Sequence, residues 1–322
     1  MSDLKSITVG IRDSKLSRAQ TDLFINEANN IDEIKNNYCF NIKTIKTTGD
    51  IYNEHRLDRI GGKGLFIREI EDQIINTSVD IGIHSMKDLP AQPVHDGLEI
   101  ICWMKRINNK DVLLSNSGKK ILDLPSGSVV GTSSIRRRAQ ILNLRKDLSI
   151  KLLRGNVDTR ILKLKEEKYD AIILSKAGLD RLNLDHLITE TLDTDLFLPA
   201  ACQGAIGVQA ICNSELKNAF LSLNHLETQK ECTAERVLLK SINANCNSPV
   251  SVYAHTKDDE IKIQCELFEH DGTKIFKSFI IGNKKDFIKL SKTLANEIIT
   301  KVGQDKINKL DILENDFDYQ AT

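Results

Sequence analysis

The 322-residue sequence has no excess of charge of either sign: Lys+Arg is 45 and Asp+Glu is 45. Proteins that grip a duplex through its phosphates usually carry a basic surplus. The balance therefore argues against a nucleic-acid partner and leaves room only for a local basic cleft. Aromatic residues are scarce at 5%, too few to suggest a stacking platform for single strands. No apolar run approaches the length that crosses a bilayer, so no membrane partner is expected. The first residues, Met1-Ser2-Asp3-Leu4-Lys5-Ser6, enter a strand-like segment without the apolar core of a secretory signal, and a cytoplasmic location is expected. None of the 7 cysteines forms a C-x-x-C pair, so neither a zinc knuckle nor a redox pair is indicated and no metal is expected. In a reducing compartment a disulfide framework is not expected either. Each thiol then reads as a small buried hydrophobe, with one needing a different account. There is no G-x-x-x-x-G-K-[ST] and no G-x-G-x-x-G after a strand, which removes the usual nucleotide cradles.

What is present is the grammar of α/β sheets. Residues 7–11 read as a strand, Ser14 as a helix N-cap, and Leu16, Ala19, Leu23, Phe24 and Ala28 as the helix behind it. Residues 39–46 alternate like a strand. A glycine-containing loop leads to a helix carrying Phe66, Ile67, Ile70 and Ile74, and residues 80–85 form a buried strand. Strand and helix alternate again later: strands at 128–131, 150–153 and 169–174, with helices opening at Thr132-Ser133-Ser134, at Gly155-Asn156 and at 177–182. Two parallel α/β units are predicted, alike in architecture but without a convincing sequence repeat. The tail differs. A helix over 228–242 precedes strands at 249–255, 261–268 and 274–281, the last two joined through Asp271-Gly272, and a final helix spans about 285–302. That is an α+β domain with a three-stranded antiparallel sheet. The polar residues beyond about Leu313 read as a frayed end.

Cationic residues gather where strands hand over to helices. Gly131-Thr132-Ser133-Ser134-Ile135-Arg136-Arg137-Arg138 combines free helix N–H groups, hydroxyls and guanidinium forks. Leu153-Arg154-Gly155-Asn156-Val157-Asp158-Thr159-Arg160 sits at the next such junction and Arg181 follows the third. Arg12, Ser14 and Lys63 hold comparable places in the first unit. In α/β sheets these strand ends face the ligand crevice, so a ligand with several negative charges is implied. Read singly, each arginine would be an ordinary solvated helix-face charge. His84-Ser85-Met86-Lys87-Asp88-Leu89-Pro90 puts a carboxylate beside a lysine at a strand end, suited to acid–base work or to stabilising a cation, or else to a structural ion pair. Cys246, in the polar loop Asn243-Ala244-Asn245-Cys246-Asn247-Ser248-Pro249, has the setting of a reactive thiol.

Taken together, these stretches resemble the porphobilinogen deaminase (hydroxymethylbilane synthase) family. The likeness is carried by Gly61-Gly62-Lys63-Gly64-Leu65-Phe66, the segment from His84 to Pro90, Gly131 to Arg137, Leu153 to Arg160, Ala177-Gly178-Leu179-Asp180-Arg181-Leu182, Leu198-Pro199-Ala200 and Gln203-Gly204-Ala205. The resemblance implies two periplasmic-binding-protein-like α/β domains with a central cleft, and a smaller C-terminal α+β domain. Domain 1 would span 1–104, completed by about 205–222; domain 2, 105–204; domain 3, 223–322. It implies a transferase of tetrapyrrole and haem biosynthesis, monomeric, that condenses four porphobilinogen molecules head to tail with loss of ammonia. Growth would occur on a dipyrromethane cofactor held by a thioether to Cys246, and water would release linear hydroxymethylbilane. Asp88 aligns with the catalytic carboxylate. Carried over residue by residue, cofactor contacts fall on Ser85, Lys87, Asp88, Thr132, Ser133, Ser134, Arg136, Arg137, Arg154 and Gly155. Substrate contacts fall on Arg12, Ser14, Lys63, Arg154, Arg160, Arg181 and Gln203. The alternative is a two-lobed binding protein for a small anionic ligand. The chain departs from the family pattern in four places: Ala244-Asn245 replace a glycine pair before Cys246, Asn247-Ser248 replace a bulkier pair before Pro249, Cys202 stands where glycine is usual, and Arg59 where lysine is common.

Overall fold

The computed structural model describes residues 4–48, 67–91, 95–245 and 247–310. The chain divides into two compact units, residues 1–107 with 204–229, and residues 108–203 with 230–322.

The first unit is built on a five-stranded sheet. Its strands are β1 (Lys5–Arg12), β2 (Tyr38–Ile45), β3 (Ile81–Ser85), β4 (Leu98–Trp103) and β10 (Ile206–Ile211), in the order β2-β1-β3-β10-β4. β1 runs parallel to β2 and β3, whereas β10 is antiparallel to β3 and β4. Alternation in β1 sends Ile7, Val9 and Ile11 into the core, where they meet Phe24, Ile81, Ile83 and Val208. The helix Lys15–Asn29 begins at Ser14, whose hydroxyl accepts the Ser17 N–H at 3.1 Å. Its Phe24 meets Phe40 and Phe220 edge-on, each with ring centroids 5.5 Å apart.

The second unit repeats this plan. Its sheet contains β5 (Asp111–Ser115), β6 (Val129–Gly131), β7 (Ser149–Lys151), β8 (Ala171–Ser175) and β9 (Glu190–Thr191), in the order β7-β6-β8-β5-β9. β6 is parallel to β7 and β8, and β5 is antiparallel to β8 and β9. The helix Ile135–Leu144 is again capped by a serine: Ser134 Oγ accepts the Arg137 N–H at 3.3 Å. One locking device also recurs. Asp80, just before β3, donates its N–H to Thr8 O and accepts the Thr8 N–H at 2.7 Å. Asp170, just before β8, does the same with Val129, at 2.6 Å. The unit also contains the antiparallel sheet β11 (Val250–Lys257), β12 (Glu260–Phe268) and β13 (Lys274–Asn283). The helix Phe287–Val302 packs on it through Leu294, Ala295 and Ile298. Gln140 Nε2 reaches Ser251 Oγ at 2.9 Å, and Asn143 Nδ2 reaches Gly272 O at 2.9 Å. These bonds tie the helix Ile135–Leu144 to the antiparallel sheet.

Both α/β sheets and the α+β tail match the expectation, with one correction. The two sheets are mixed rather than parallel. β4, β5, β9 and β10 were not anticipated because no helix follows them within a strand–helix–strand rhythm. Each antiparallel strand, β5 and β10, lies just after the chain enters its unit, at residue 108 and residue 204 respectively. The cysteines also differ from expectation. Cys102, Cys202, Cys232 and Cys265 are buried, but Cys39 is half-buried and Cys212 is exposed in the turn after β10.

Candidate active site

In the first unit, the parallel pairing of β1 with β3 brings their C-terminal ends together. Arg12 closes β1 and Ser85 closes β3. A cavity opens at this edge, lined by Arg12, Ser14, Gln20, His84, Ser85 and Asp88 among others. Asp88 is exposed on the turn after β3, and its N–H donates to Ser85 O at 2.9 Å. Gln20 donates from Nε2 to Ser85 Oγ at 2.7 Å, fixing the hydroxyl beside the carboxylate-bearing turn. His84 is buried beneath them. Burial pushes its imidazole down to about 4, the Arg12 charge acts the same way, and a hydrogen bond with Gln209 opposes both. His84 is therefore neutral at neutral pH. Among the described residues lining this cavity, Asp88 is the one carboxylate and Arg12 the one guanidinium.

In the second unit, β6, β7 and β8 are parallel neighbours, so the residues after each lie on one sheet edge. Thr132, Ser133 and Ser134 follow β6. Thr132 Oγ1 accepts the Ser134 N–H at 3.1 Å, which sets the turn into the helix. Arg154 and Gly155 lie just beyond β7. Gly155 sits at φ 112, and a Cβ there would lie 2.8 Å from Thr159 Cγ2, so the turn accepts no side chain without strain. Arg160 donates from Nε to Gly155 O at 2.7 Å and braces this turn. Arg181 ends the short helix after β8. Burial lowers its guanidinium to about 10, with Asp180 opposing.

Arg136 and Arg137 sit in the first turn of their helix, but their side chains turn into the core. Both converge on Asp111, which is 0% exposed. Arg136 Nη2 donates to its carboxylate at 2.8 Å, and Arg137 donates from Nε at 3.0 Å and from Nη2 at 2.6 Å. Gln203 Nε2 adds a bond at 3.1 Å and also reaches Asn109 O at 2.7 Å. Burial by itself would raise the Asp111 carboxyl; the two guanidiniums and these hydrogen bonds outweigh it and leave it at about 2. The trio of Asp111, Arg136 and Arg137 keeps one net positive charge. Asp111 and Gln20 escaped the sequence reading. A carboxylate opening the apolar run Val112-Leu113-Leu114 was a usable signal, since such a group needs a cationic partner. So was Gln20, buried with Ser17, Thr21 and Phe24 on the inward side of its helix. Lys63, Cys246 and the segment 61–66 lie outside the described residues. Lys87 is half-buried in the turn beside Asp88.

Each of the two similar sheets carries hydroxyls and cationic residues at the C-terminal edge of its parallel strands, and the first also an exposed carboxylate, which is the class of α/β protein whose strand ends suit anionic ligands. The family follows from sequence comparisons with known proteins. Residues 7–218 match the family model "Porphobilinogen deaminase, dipyromethane cofactor binding domain" and residues 229–300 match "Porphobilinogen deaminase, C-terminal domain". Porphobilinogen deaminase of Bacillus thuringiensis (strain Al Hakam) is 40% identical over 292 residues, covering 89% of this chain and 93% of that protein. The enzyme of Bacillus cereus (strain B4264) is 38% identical over 314 residues, covering 94% and 100%. The periplasmic aliphatic sulphonate binding protein SsuA from Escherichia coli superposes at TM-score 0.40 and 13% identity, over 75% of this chain and 71% of that one. The chain belongs to the porphobilinogen deaminase family. It is a transferase of tetrapyrrole biosynthesis: a hydroxymethylbilane synthase that joins four porphobilinogen molecules with loss of ammonia on a dipyrromethane primer, then releases the linear product by hydrolysis.

Proposed function

We propose that Asp88 is the catalytic carboxylate of this reaction and that Cys246 carries the dipyrromethane through a thioether. The observation that carries the first assignment is the cavity at the β1–β3 edge, where Asp88 is the carboxylate facing Arg12, Ser14 and Ser85. Porphobilinogen brings an acetate and a propionate with each ring. Arg12, Ser14 and Lys63, with Arg154, Arg160 and Arg181, bind such carboxylates by charge and by hydrogen bonds, while Gln203, its two amide hydrogens given to Asp111 and Asn109 O, braces the buried trio. Departure of ammonia leaves the porphobilinogen unit electron-poor. The Asp88 carboxylate stabilises that positive charge and accepts a hydrogen bond from the pyrrole N–H. Gln20 holds Ser85 and so positions the turn that carries Asp88.

The second unit suits a polycarboxylate cofactor. The strand-end hydroxyls of Thr132, Ser133 and Ser134, and the side-chain-free turn at Gly155, form a donor-rich edge of the kind that carboxylates need. Arg136 and Arg137 contribute the net positive charge they share with Asp111, and Arg154, Lys87 and Ser85 complete the set. When bound, dipyrromethane supplies the nucleophilic terminal pyrrole and keeps the growing chain tethered between steps. Cys246 follows Asn245, whose N–H donates to Ser248 Oγ at 2.9 Å and whose side chain accepts the Asn247 N–H at 2.8 Å. These bonds join the residues that flank Cys246 in the sequence. The enzyme works as a cytoplasmic monomer supplying haem synthesis, with domains at 1–104 plus 205–222, 105–204 and 223–322.

The test is an intact mass with peptide mapping, on the parent and on Asp88→Asn. The expected adduct equals two porphobilinogen units less two ammonia, located on Cys246, and it persists in Asp88→Asn while turnover is lost. Multiple turnover by Asp88→Asn at the parent rate would remove Asp88 from the mechanism. An adduct on Cys212, the exposed thiol, would remove Cys246.

A further inference from the structure

A second cluster of chemistry lies apart from the strand-end residues. Cys202, Cys232 and Glu235 are 1%, 0% and 0% exposed. Their sulfur and carboxylate atoms all lie within 4.8 Å of one another, the sole such donor cluster among the described residues. Cys232 and Glu235 are three residues apart on the helix Leu226–Ser241, a spacing that places both side chains on one face. Cys202 arrives from the segment that precedes β10. Its N–H donates to one Glu235 oxygen, and its thiol lies 3.6 Å from Cys232 O. The other Glu235 oxygen accepts the Ala254 N–H at 2.8 Å. A carboxylate oxygen can accept a hydrogen bond and ligate a cation at the same time.

We infer that Cys202, Cys232 and Glu235 form a binding site for a thiophilic divalent cation of the zinc and cadmium class, with a water as the fourth ligand. Two thiolates and a carboxylate are the donor set that such ions prefer over magnesium or calcium. Tetrahedral zinc with Zn–S of about 2.3 Å and Zn–O of about 2.0 Å needs donor separations of roughly 3.5–3.8 Å. The donor atoms, within 4.8 Å of one another, are at most about 1 Å outside that spacing. The reaction is balanced by proton release: the cation binds two thiols and one carboxylate, forms two M–S bonds and one M–O bond, and expels two protons. It also gives a fully buried carboxylate a cation at bonding distance, which offsets the cost of keeping charge out of water. Cys202 adopts φ 59, a conformation glycine holds without strain. A side chain at that position is costly, and the thiol it supplies completes the site.

The experiment titrates cadmium chloride alone into the reduced holoenzyme in a Cys212→Ser background, which removes the exposed thiol. Binding is followed by thiolate-to-cadmium charge-transfer absorbance and by metal analysis after desalting. The expected result is one equivalent retained per chain, with affinity rising with pH as protons are released. Cys202→Gly keeps the backbone conformation and is expected to fold. It and Cys232→Ser should each weaken cadmium at least tenfold and remove most of the charge-transfer band. Cadmium should displace zinc from the parent, because the softer ion binds thiolates more tightly. Substoichiometric binding by the parent, or unchanged affinity in a folded Cys202→Gly, would overturn the site.

Discussion

Replacing Asp111 by Asn tests whether the buried trio is a structural cornerstone of the second unit. Asp111 accepts four hydrogen bonds, three of them from the guanidiniums of Arg136 and Arg137. Asn is nearly isosteric, but it offers one acceptor oxygen and turns an NH2 toward donors. The trio's charge goes from +1 to +2 with no anion left inside. Two routes give the magnitude. Lowering the carboxyl from 3.8 to about 2 means that the fold favours the ionised form by about 2 kcal/mol over the neutral one. Removing one partner of a buried pair typically costs about 3–5 kcal/mol. The two bracket a loss of about 2–5 kcal/mol, or a fall in Tm on the order of ten degrees for a chain of this size. Thermal melts and urea unfolding at pH 7 measure it. The sign of the pH dependence gives a second check. A depressed carboxyl contributes stability that is complete above about pH 4 and lost as pH falls toward 2. The gap between parent and Asp111→Asn should therefore be constant from pH 7 to 5 and close below 4. Arg136→Met should cost less than Asp111→Asn, because it leaves one neutral pair, and the double variant should show clear non-additivity. A Tm within a degree of the parent, or a gap that stays constant below pH 4, would refute the reasoning.

Three further outcomes are expected. His84 is held neutral at about 4, against an ordinary 6.5, so stability is complete above pH 6.5 and declines as pH falls toward 4, by about 2 kcal/mol at pH 5. Urea midpoints at pH 7 and pH 5 should show that decline in the parent and not in His84→Gln; parallel profiles would contradict it. Gly155→Ala should destabilise by about 1–3 kcal/mol in a thermal melt, because φ 112 is strained for any side chain. Adding Thr159→Ala removes the Cγ2 clash but not the backbone strain, so full recovery in the double variant would show that φ is not the cause. Arg154→Leu should reduce primer loading or elongation at least tenfold by mass spectrometry and ammonia release; parental values would remove the β7 edge from the site.

The strands with alternating or wholly apolar residues and a capped helix behind them were legible: β1 with Ser14, β6 with Ser134, and the hairpin through Asp271-Gly272. Their signals are local, set by periodicity and by a side chain that can satisfy a bare helix N–H. A short repeat between the units, Asp80-Ile81-Gly82-Ile83-His84-Ser85 and Asp170-Ala171-Ile172-Ile173-Leu174-Ser175, was missed in the sequence, where it is too short to stand out. Only the structure shows why it matters. In each case the aspartate closes the same pair of hydrogen bonds on the neighbouring strand, a constraint between residues 72 and 41 positions apart. β5 and β10 were illegible for a related reason. Their place is fixed by partners that are distant in sequence, and no local pattern tells an antiparallel insertion from a parallel neighbour.

The arginines make the same point for the site. Sequence places Arg136 and Arg137 in the first turn of a helix, where an anion is the natural partner. It does not say that Asp111 opens a strand close enough to take both guanidiniums. A buried carboxylate without water to solvate it competes for guanidinium more strongly than solvent does, so those side chains turn inward. Asp111 takes its bonds from Arg136, Arg137 and Gln203, so Arg154, beyond the end of β7, is the better single probe of carboxylate binding in the second unit. If Arg136→Met impaired primer loading more than Arg154→Leu while leaving the melt unchanged, the inward pairing with Asp111 would not describe the enzyme at work.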